Sequence, residues 1–280
     1  MNKQTLTLGI GFLATLIATM AMAGEMAGPD EHTSTQVQKT TAQASSVEYI
    51  HKTMEVEGQK YIWTIIIPPS AKKGGAGLLF LHGRGQCGDD GKLHVKYGLP
   101  PAIEKNPESW PFVVIVPQKE SASDWGFHEQ AVMQMLDQAI EEGFIDKDKI
   151  GITGLSQGGH GTMVFASKHP DRFVAAAPVC GYPQVAFDEE GESTPFPSMA
   201  DFQSAMLKIV ENLKDIPVWI FHGEVDSTVP VMTARVLNQT LESMGADVKY
   251  TEFAGVGHNS WSPAYAKKEL GEWFAEHMED

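Results

Sequence analysis

Cysteine and positive charge are both scarce in this chain. Only 2 of its 280 residues are cysteine, and 21 Lys and Arg stand against 36 Asp and Glu, which gives a formal net charge of −15. A chain this acidic is poorly suited to binding nucleic acid or anionic membranes. No Cys and His residues have the spacing of a metal site. We therefore predict no nucleic-acid partner, no membrane partner for the mature protein and no metal.

The two cysteines are Cys87 and Cys180. Both are expected in loops at the same edge of the predicted sheet. A disulfide persists in the oxidising environment that an exported protein meets. The sequence does not reveal the geometry that a bridge requires, so the pairing of these two residues is left open.

One long, uncharged and mostly apolar run is present, at the N-terminus. Lys3 precedes the apolar stretch 6–22, and Ala21-Met22-Ala23 has the small residues of a cleavage site. The stretch is at the short limit for a membrane span. We predict a signal peptide over residues 1–23, cleavage after Ala23, and a secreted or periplasmic protein. Residues 24–46 are predicted to form a flexible leader, because they offer few large apolar groups to bury.

The remaining residues, 47–280, are predicted to form a single domain, because no linker is evident within them. After an opening hairpin, continuous apolar runs typical of strands buried on both faces alternate with segments of helical periodicity. This order predicts an α/β fold, in which a mostly parallel sheet of about eight strands carries helices on both faces. The predicted strands are 47–56, 59–67, 78–81, 112–116, 150–155, 173–179, 218–221 and 248–253. The predicted helices include 128–143, 159–168, 199–213, 232–244 and 263–277.

Residues 182–215 interrupt this alternation. They contain the acidic run 188–192, then Pro195 and Pro197, and then the helix-like stretch 199–213. A long insertion at the active edge of a sheet is often a lid over the site. A solvated loop followed by a packing helix explains the same pattern, and both interpretations stay open.

The pattern G-x-S-x-G occurs at Gly154-Leu155-Ser156-Gln157-Gly158. A predicted strand precedes it and a predicted helix follows it. A serine on such a tight turn exposes its hydroxyl, and the start of the helix directs N–H groups into the same space. The five letters alone are weak evidence, but their place between strand and helix makes Ser156 the predicted nucleophile.

A serine hydroxyl needs a base, and the base needs an acid to orient it. On this kind of turn the partners follow in the order Ser, Asp or Glu, His. Asp226 follows the strand 218–221, with Glu224 as a competing acid. Asp226 is preferred because Val229-Pro230 would begin the next helix and fix the loop. His258 lies in a glycine-containing loop after the last strand and is the predicted base.

Two backbone N–H groups are predicted to bind the oxyanion, those of Gln157 and Arg84. The Arg84 side chain either reaches a substrate carboxylate or makes a structural ion pair. The same loop, 83–88, fits the pattern G-x-G-x-x-G. The next strand ends in Val116-Pro117-Gln118, without a carboxylate for a ribose, so we predict no dinucleotide site.

Five segments together resemble the α/β-hydrolase superfamily. More closely, they are similar to its secreted phospholipase/carboxylesterase-like branch, near the feruloyl esterases and polyhydroxyalkanoate depolymerases. The resemblance implies the α/β-hydrolase fold, a Ser156-Asp226-His258 triad and no cofactor. The insert at 182–215 is longer than this branch leads us to expect. The segments are Leu81-His82-Gly83-Arg84-Gly85, Gly154 to Gly159, Ala177 to Gly181, His222-Gly223 with Asp226, and Gly257 to Trp261.

Four residues are candidate substrate contacts: Trp125, His160, Tyr182 and Trp261. The alternative is that they form core walls beneath the triad. The predicted function is carboxylic ester hydrolysis through an acyl-enzyme, acting on a small-molecule or polymer ester. A feruloyl or polyester depolymerase-type esterase, a serine peptidase for short peptides and a non-catalytic binder on the same fold are the alternatives.

Overall fold

The computed structural model describes residues 46–120, 123–182, 186–187, 193–194 and 199–279. The predicted signal peptide, 1–23, and residues 24–45 of the predicted leader lie outside these residues. In the described part of the chain no helix has the length and apolar character needed to cross a bilayer.

Strands and helices alternate along most of the described chain. The strands are β1 (Glu48–Val56), β2 (Gln59–Ile67), β3 (Gly75–Leu81), β4 (Val113–Gln118), β5 (Ile145–Leu155), β6 (Ala175–Val179), β7 (Ala186–Phe187), β8 (Ser193–Thr194), β9 (Val218–Gly223) and β10 (Val248–Phe253). The helices are α1 (Leu99–Lys105), α2 (Glu129–Glu141), α3 (Gln157–Lys168), α4 (Met199–Leu213), α5 (Met232–Ser243), α6 (Trp261–Tyr265) and α7 (Lys268–Met278).

Eight of these strands form one sheet, in the order β1-β2-β4-β3-β5-β6-β9-β10. β2 pairs antiparallel with both β1 and β4, and every other neighbouring pair is parallel. β1 and β2 are joined by Glu57 and Gly58, whose φ angles of 53° and 79° are those of a tight hairpin turn. The predicted mostly parallel sheet with an opening hairpin is confirmed.

The two faces of the sheet bury separate apolar clusters. Along β3, Leu79 and Leu81 pack on the face that carries α2, α3, α4 and α5. Leu78 and Phe80 pack on the opposite face, with α1, α6 and α7. Alternate side chains of one apolar run therefore fill two cores, because successive strand residues point to opposite faces. Helices cover both faces, as predicted.

The C-terminal helix differs from its prediction. A single helix over 263–277 was expected, but α6 and α7 are separated at Lys267, whose φ and ψ of −77° and 118° are extended. The change of direction there lets Leu270, Trp273 and Phe274 pack against the sheet. Helical periodicity alone misses this break, because no Gly or Pro marks it.

The second half of the 182–215 segment is helix α4, with the predicted bounds. Its residues Met206, Ile209, Val210 and Leu213 are buried, and the helix packs against α3 and α5. This part of the segment therefore belongs to the core. The acidic run 188–192, Pro195 and Pro197 lie outside the described residues, so a lid over the site stays a prediction.

Candidate active site

Ser156 occupies a sharp turn between β5 and α3. Its φ of 55° and ψ of −116° are unusual for a residue with a side chain. The backbone N–H of Ser156 donates to the Val179 carbonyl of β6 over 2.9 Å, which anchors the turn to the sheet. A Cβ at Gly158 would overlap the Leu81 carbonyl, and one at Gly154 would overlap Gly158 itself. The two motif glycines are therefore required by the close approach of β3, β5 and α3.

A methyl group at Gly158 tests this packing. We expect Gly158→Ala to lower the free energy of unfolding by at least about 2 kcal/mol, because the new Cβ can only be accommodated by moving backbone. Urea unfolding measures the change. Gly126→Ala is the matched control, since the atom nearest to its new Cβ would be Asp124 Oδ1 at an ordinary 3.6 Å. Equal unfolding midpoints for the two variants would contradict the packing argument.

His258 lies beside Ser156 although 102 residues separate them in sequence. It is carried by the loop that follows β10. Its Nε2 is 2.9 Å from Ser156 Oγ, and its Nδ1 is 2.7 Å from Asp226 Oδ2. The ring also meets Trp261 edge-on, with centroids 5.5 Å apart. These contacts place one imidazole between a hydroxyl and a carboxylate.

Asp226 is held in the loop after β9, and its side chain is fully buried. Its Oδ1 accepts hydrogen bonds from the backbone N–H groups of Thr228 and Val229, at 2.8 and 2.9 Å. The competing acid, Glu224, is exposed and accepts from the Gly255 N–H instead. Asp226, rather than Glu224, is thus the acid that contacts His258.

The two residues expected to bind an oxyanion flank the same opening. Gln157 is the first residue of α3, and Arg84 begins a short 3₁₀ turn, Arg84–Gln86, just after β3. Both residues line the cavity that contains Ser156. The Gln86 side chain accepts from the Gly83 N–H over 3.1 Å and so fixes the shape of the Arg84 loop.

This cavity has a volume of about 730 Å³. Tyr182 and Trp261, two of the predicted substrate contacts, are among its lining residues. The other described lining residues are Gly83, Arg84, Gly85, Gln86, Leu155, Ser156, Gln157, Thr228, Val229, Pro230, Thr233 and His258.

The other two predicted substrate contacts lie elsewhere. Trp125 is fully buried, and its indole N–H donates to the His82 carbonyl over 3.0 Å. His160 is 1% exposed, and its ring stacks on Tyr182 with centroids 4.6 Å apart. Neither side chain lines the cavity that contains Ser156. In the described structure Trp125 contacts His82 and His160 contacts Tyr182, so a direct substrate contact by either residue stays a prediction.

Both cysteines are free thiols. Cys180 is buried, whereas Cys87 Sγ lies 3.1 Å from the ammonium nitrogen of Lys119. The sequence left a disulfide between Cys87 and Cys180 open, and the structure contains no bond between them.

One residue near the predicted triad was missed by the sequence analysis. His222, on β9, places its Nε2 3.3 Å from Asp226 Oδ2. The sequence analysis noted the motif His222-Gly223 with Asp226, but it assigned a role only to the Asp226 carboxylate. The short spacing between His222 and Asp226 was the signal that could have drawn attention to His222.

A sequence model of the prolyl oligopeptidase family matches residues 122–280 of this chain, which include Ser156, Asp226 and His258. The chain belongs to the prolyl oligopeptidase family. The sheet of this chain is that of the α/β-hydrolase superfamily, as the resemblance in the sequence had indicated.

The curated relatives that this chain matches are much longer proteins. An "uncharacterized secreted protein" of Arthroderma benhamiae is 34% identical over 151 residues, which are 48% of this chain and 16% of that protein. Acylamino-acid-releasing enzyme 1 of Oryza sativa subsp. japonica is 29% identical over 172 residues, which are 52% of this chain and 22% of that enzyme. The match thus spans 16% and 22% of the length of these two relatives.

Solved structures share the fold over more of the chain. A thermostable esterase superposes with a TM-score of 0.67 and 28% identity, over 81% of this chain and 62% of that one. A ferulic acid esterase superposes with a TM-score of 0.63 over 84% of this chain and 99% of that one, but at 15% identity. At 15% identity, the similarity to the ferulic acid esterase shows only that the two proteins share a fold.

Proposed function

We propose that this chain is a carboxylic ester hydrolase that forms an acyl-enzyme on Ser156. The observation that carries the proposal is the continuous contact from Ser156 Oγ to His258 Nε2, 2.9 Å, and from His258 Nδ1 to Asp226 Oδ2, 2.7 Å. These are hydrogen-bonding distances for a nucleophile, its general base and the acid that orients the base.

In the proposed reaction, His258 Nε2 takes the proton of Ser156 as Oγ attacks the ester carbonyl. Asp226 accepts the Nδ1–H of His258, which fixes the tautomer and stabilises the imidazolium that forms. The N–H groups of Arg84 and Gln157 bind the oxyanion. His258 then protonates the departing alkoxide, and a water molecule activated by His258 releases the acid.

The charge of the cavity supports esters over peptides with a free N-terminus. Although acidic residues outnumber basic ones in the chain by 36 to 21, no Asp or Glu is among the described residues that line this cavity. A peptidase that seats a terminal ammonium requires an opposite charge there. Arg84, the one Lys or Arg in that lining, favours neutral or anionic acyl groups. Tyr182 and Trp261 offer aromatic surface to such a group.

A second candidate is hydrolysis of short peptides whose N-terminus is blocked. The observation that favours it is the similarity to an acylamino-acid-releasing enzyme, and a cavity without a described carboxylate suits an acylated terminus equally well. Feruloyl esters and polyesters remain alternative substrates within the esterase proposal. Export of the protein, proposed from the N-terminal sequence, is supported by the relative that is called secreted.

Matched substrates separate these candidates. We expect the wild type to cleave N-acetyl-alanine p-nitrophenyl ester, and to cleave the corresponding p-nitroanilide no faster than the background measured with Ser156→Ala. A p-nitrophenyl series from acetate to palmitate then defines the acyl length. Cleavage of the anilide that depends on Ser156 would favour the peptidase. A folded protein that cleaves neither would favour a binder.

A further inference from the structure

Asp226 Oδ2 lies between two imidazoles. One is His258, whose Nδ1 is 2.7 Å away. The other is His222, whose Nε2 is 3.3 Å away. His222 belongs to β9 and is fully buried. The acid of the proposed triad therefore contacts a second histidine, which itself does not line the cavity that contains Ser156.

The hydrogen bonds of His222 define its tautomer. Its Nε2 is 2.9 Å from the Val229 carbonyl oxygen, which can only accept, so Nε2 must carry the hydrogen. The other ring nitrogen, Nδ1, is buried and has no hydrogen-bond partner in the described part of the chain. A hydrogen on Nδ1 would have no acceptor there, so the neutral Nε2–H form is the one that fits this position.

We propose that His222 is a positioning residue for the acid of the triad. Its Nε2–H is shared between the Val229 carbonyl and Asp226 Oδ2. This contact joins the end of β9 to the 226–229 loop, so that Oδ2 is held at hydrogen-bonding distance from His258. It also withdraws part of the negative charge on Oδ2, and so limits how strongly Asp226 holds a proton on His258. The inference rests on the proposed triad but not on the class of substrate.

The surroundings keep His222 neutral. Burial holds the pKa of His222 below its usual value, against the opposing effects of the Val229 carbonyl and Asp226. The other titratable groups facing this pair are His258, Glu252 on β10 and Cys180 after β6. A hydrogen bond from Arg235 lowers the pKa of Glu252 to about 2, and burial raises that of Cys180 to about 12. Neither of these two groups therefore changes charge near neutral pH.

The decisive comparison is between His222→Gln and His222→Asn. Both introduce an amide, but only the longer Gln places an N–H near the position of Nε2. His222→Phe removes the donor altogether. The readout is the rate constant for labelling of Ser156 by a fluorophosphonate, measured from pH 5 to 9. This rate constant does not depend on the natural substrate, and circular dichroism checks that each variant is folded under the labelling conditions.

We expect the rate constant for labelling of Ser156 at high pH to be about tenfold lower in His222→Asn and His222→Phe than in the wild type. This is the effect expected from the loss of one hydrogen bond to a charged group. The acid limb of their pH profiles should move to higher pH by about 0.5 to 1 unit, because Oδ2 then holds the His258 proton more strongly. His222→Gln should retain most of the wild-type rate and profile. If the Asn variant does not fold, the Phe and Gln variants still give the comparison.

His94→Gln is the matched control. His94 is also buried, with one ring nitrogen 2.9 Å from Thr64 Oγ1 and the other without a hydrogen-bond partner in the described residues. Ser156 in the His94→Gln variant should be labelled with the wild-type rate constant at every pH. The proposal is overturned if the Asn and Phe variants keep the wild-type pH profile, or if Gln behaves as they do. Absence of ester hydrolysis with normal labelling would instead count against the esterase proposal alone.

Discussion

Ser156→Ala should lower kcat/KM for p-nitrophenyl butyrate by about 10⁴- to 10⁶-fold, the loss typical of removing a nucleophile from a triad. Without Oγ no acyl-enzyme forms, and only the oxyanion-binding groups and the cavity remain to favour attack by water. The effect should fall on kcat, because the methyl group of alanine leaves the cavity walls unchanged. Initial rates with purified protein, normalised to folded protein by circular dichroism, measure it.

Ser167→Ala provides the control for this loss. Ser167 lies on the same helix, α3, and is buried, with its hydroxyl donating to the Val164 carbonyl over 2.9 Å. It does not line the cavity that contains Ser156. Its variant should retain kcat/KM within about twofold, as substitutions away from special features do. Comparable losses in the two variants would show that general disturbance of α3, rather than removal of the nucleophile, lowers the rate.

Asp226→Asn should lower kcat by about 10³- to 10⁴-fold, through the tautomer of His258. Oδ1 of Asp226 faces two backbone N–H groups, so the amide oxygen of Asn must take that position. The NH₂ group then faces His258 Nδ1 and forces the hydrogen onto Nε2. An Nε2–H cannot accept the proton of Ser156, and the base is lost although the shape of the site is preserved.

Glu224→Gln is the companion variant, since Glu224 was the competing acid. Its carboxylate accepts from the Gly255 N–H over 2.8 Å, and the oxygen of Gln can accept the same hydrogen bond. Steady-state assays at several pH values should show kcat within about twofold of the wild type. If Glu224→Gln lowered kcat more than Asp226→Asn does, Glu224 rather than Asp226 would be the acid that orients His258.

The main elements of the fold were predictable because their local signals agree with their burial. The run Leu78 to Leu81 is apolar on both faces, and both faces are covered. The positions of Ser156, Asp226 and His258 followed from the order of strands, since the loops after parallel strands meet at one edge. Even the preference for Asp226 over Glu224 rested on a local feature, the Val229-Pro230 segment that follows it.

Other features were beyond the sequence because they depend on the direction of side chains. Trp125 and His160 were candidate substrate contacts, but the Trp125 indole donates to the His82 carbonyl and the His160 ring stacks on Tyr182. Placement at an edge does not say which way a side chain points. His222 was missed for the same reason: the alternation in β9 buries it, but only the folded loop brings Asp226 and Val229 to its Nε2.

The most direct test is to find where the acyl group resides during turnover. The protein is mixed with p-nitrophenyl butyrate, and the reaction is quenched rapidly in acid. The protein is then digested, and the masses of the peptides are measured by mass spectrometry. We predict one butyryl group, on the peptide that contains Ser156, and none on that peptide in Ser156→Ala. Rapid ester hydrolysis with the butyryl group on another residue, or with Ser156→Ala as active as the wild type, would contradict the account.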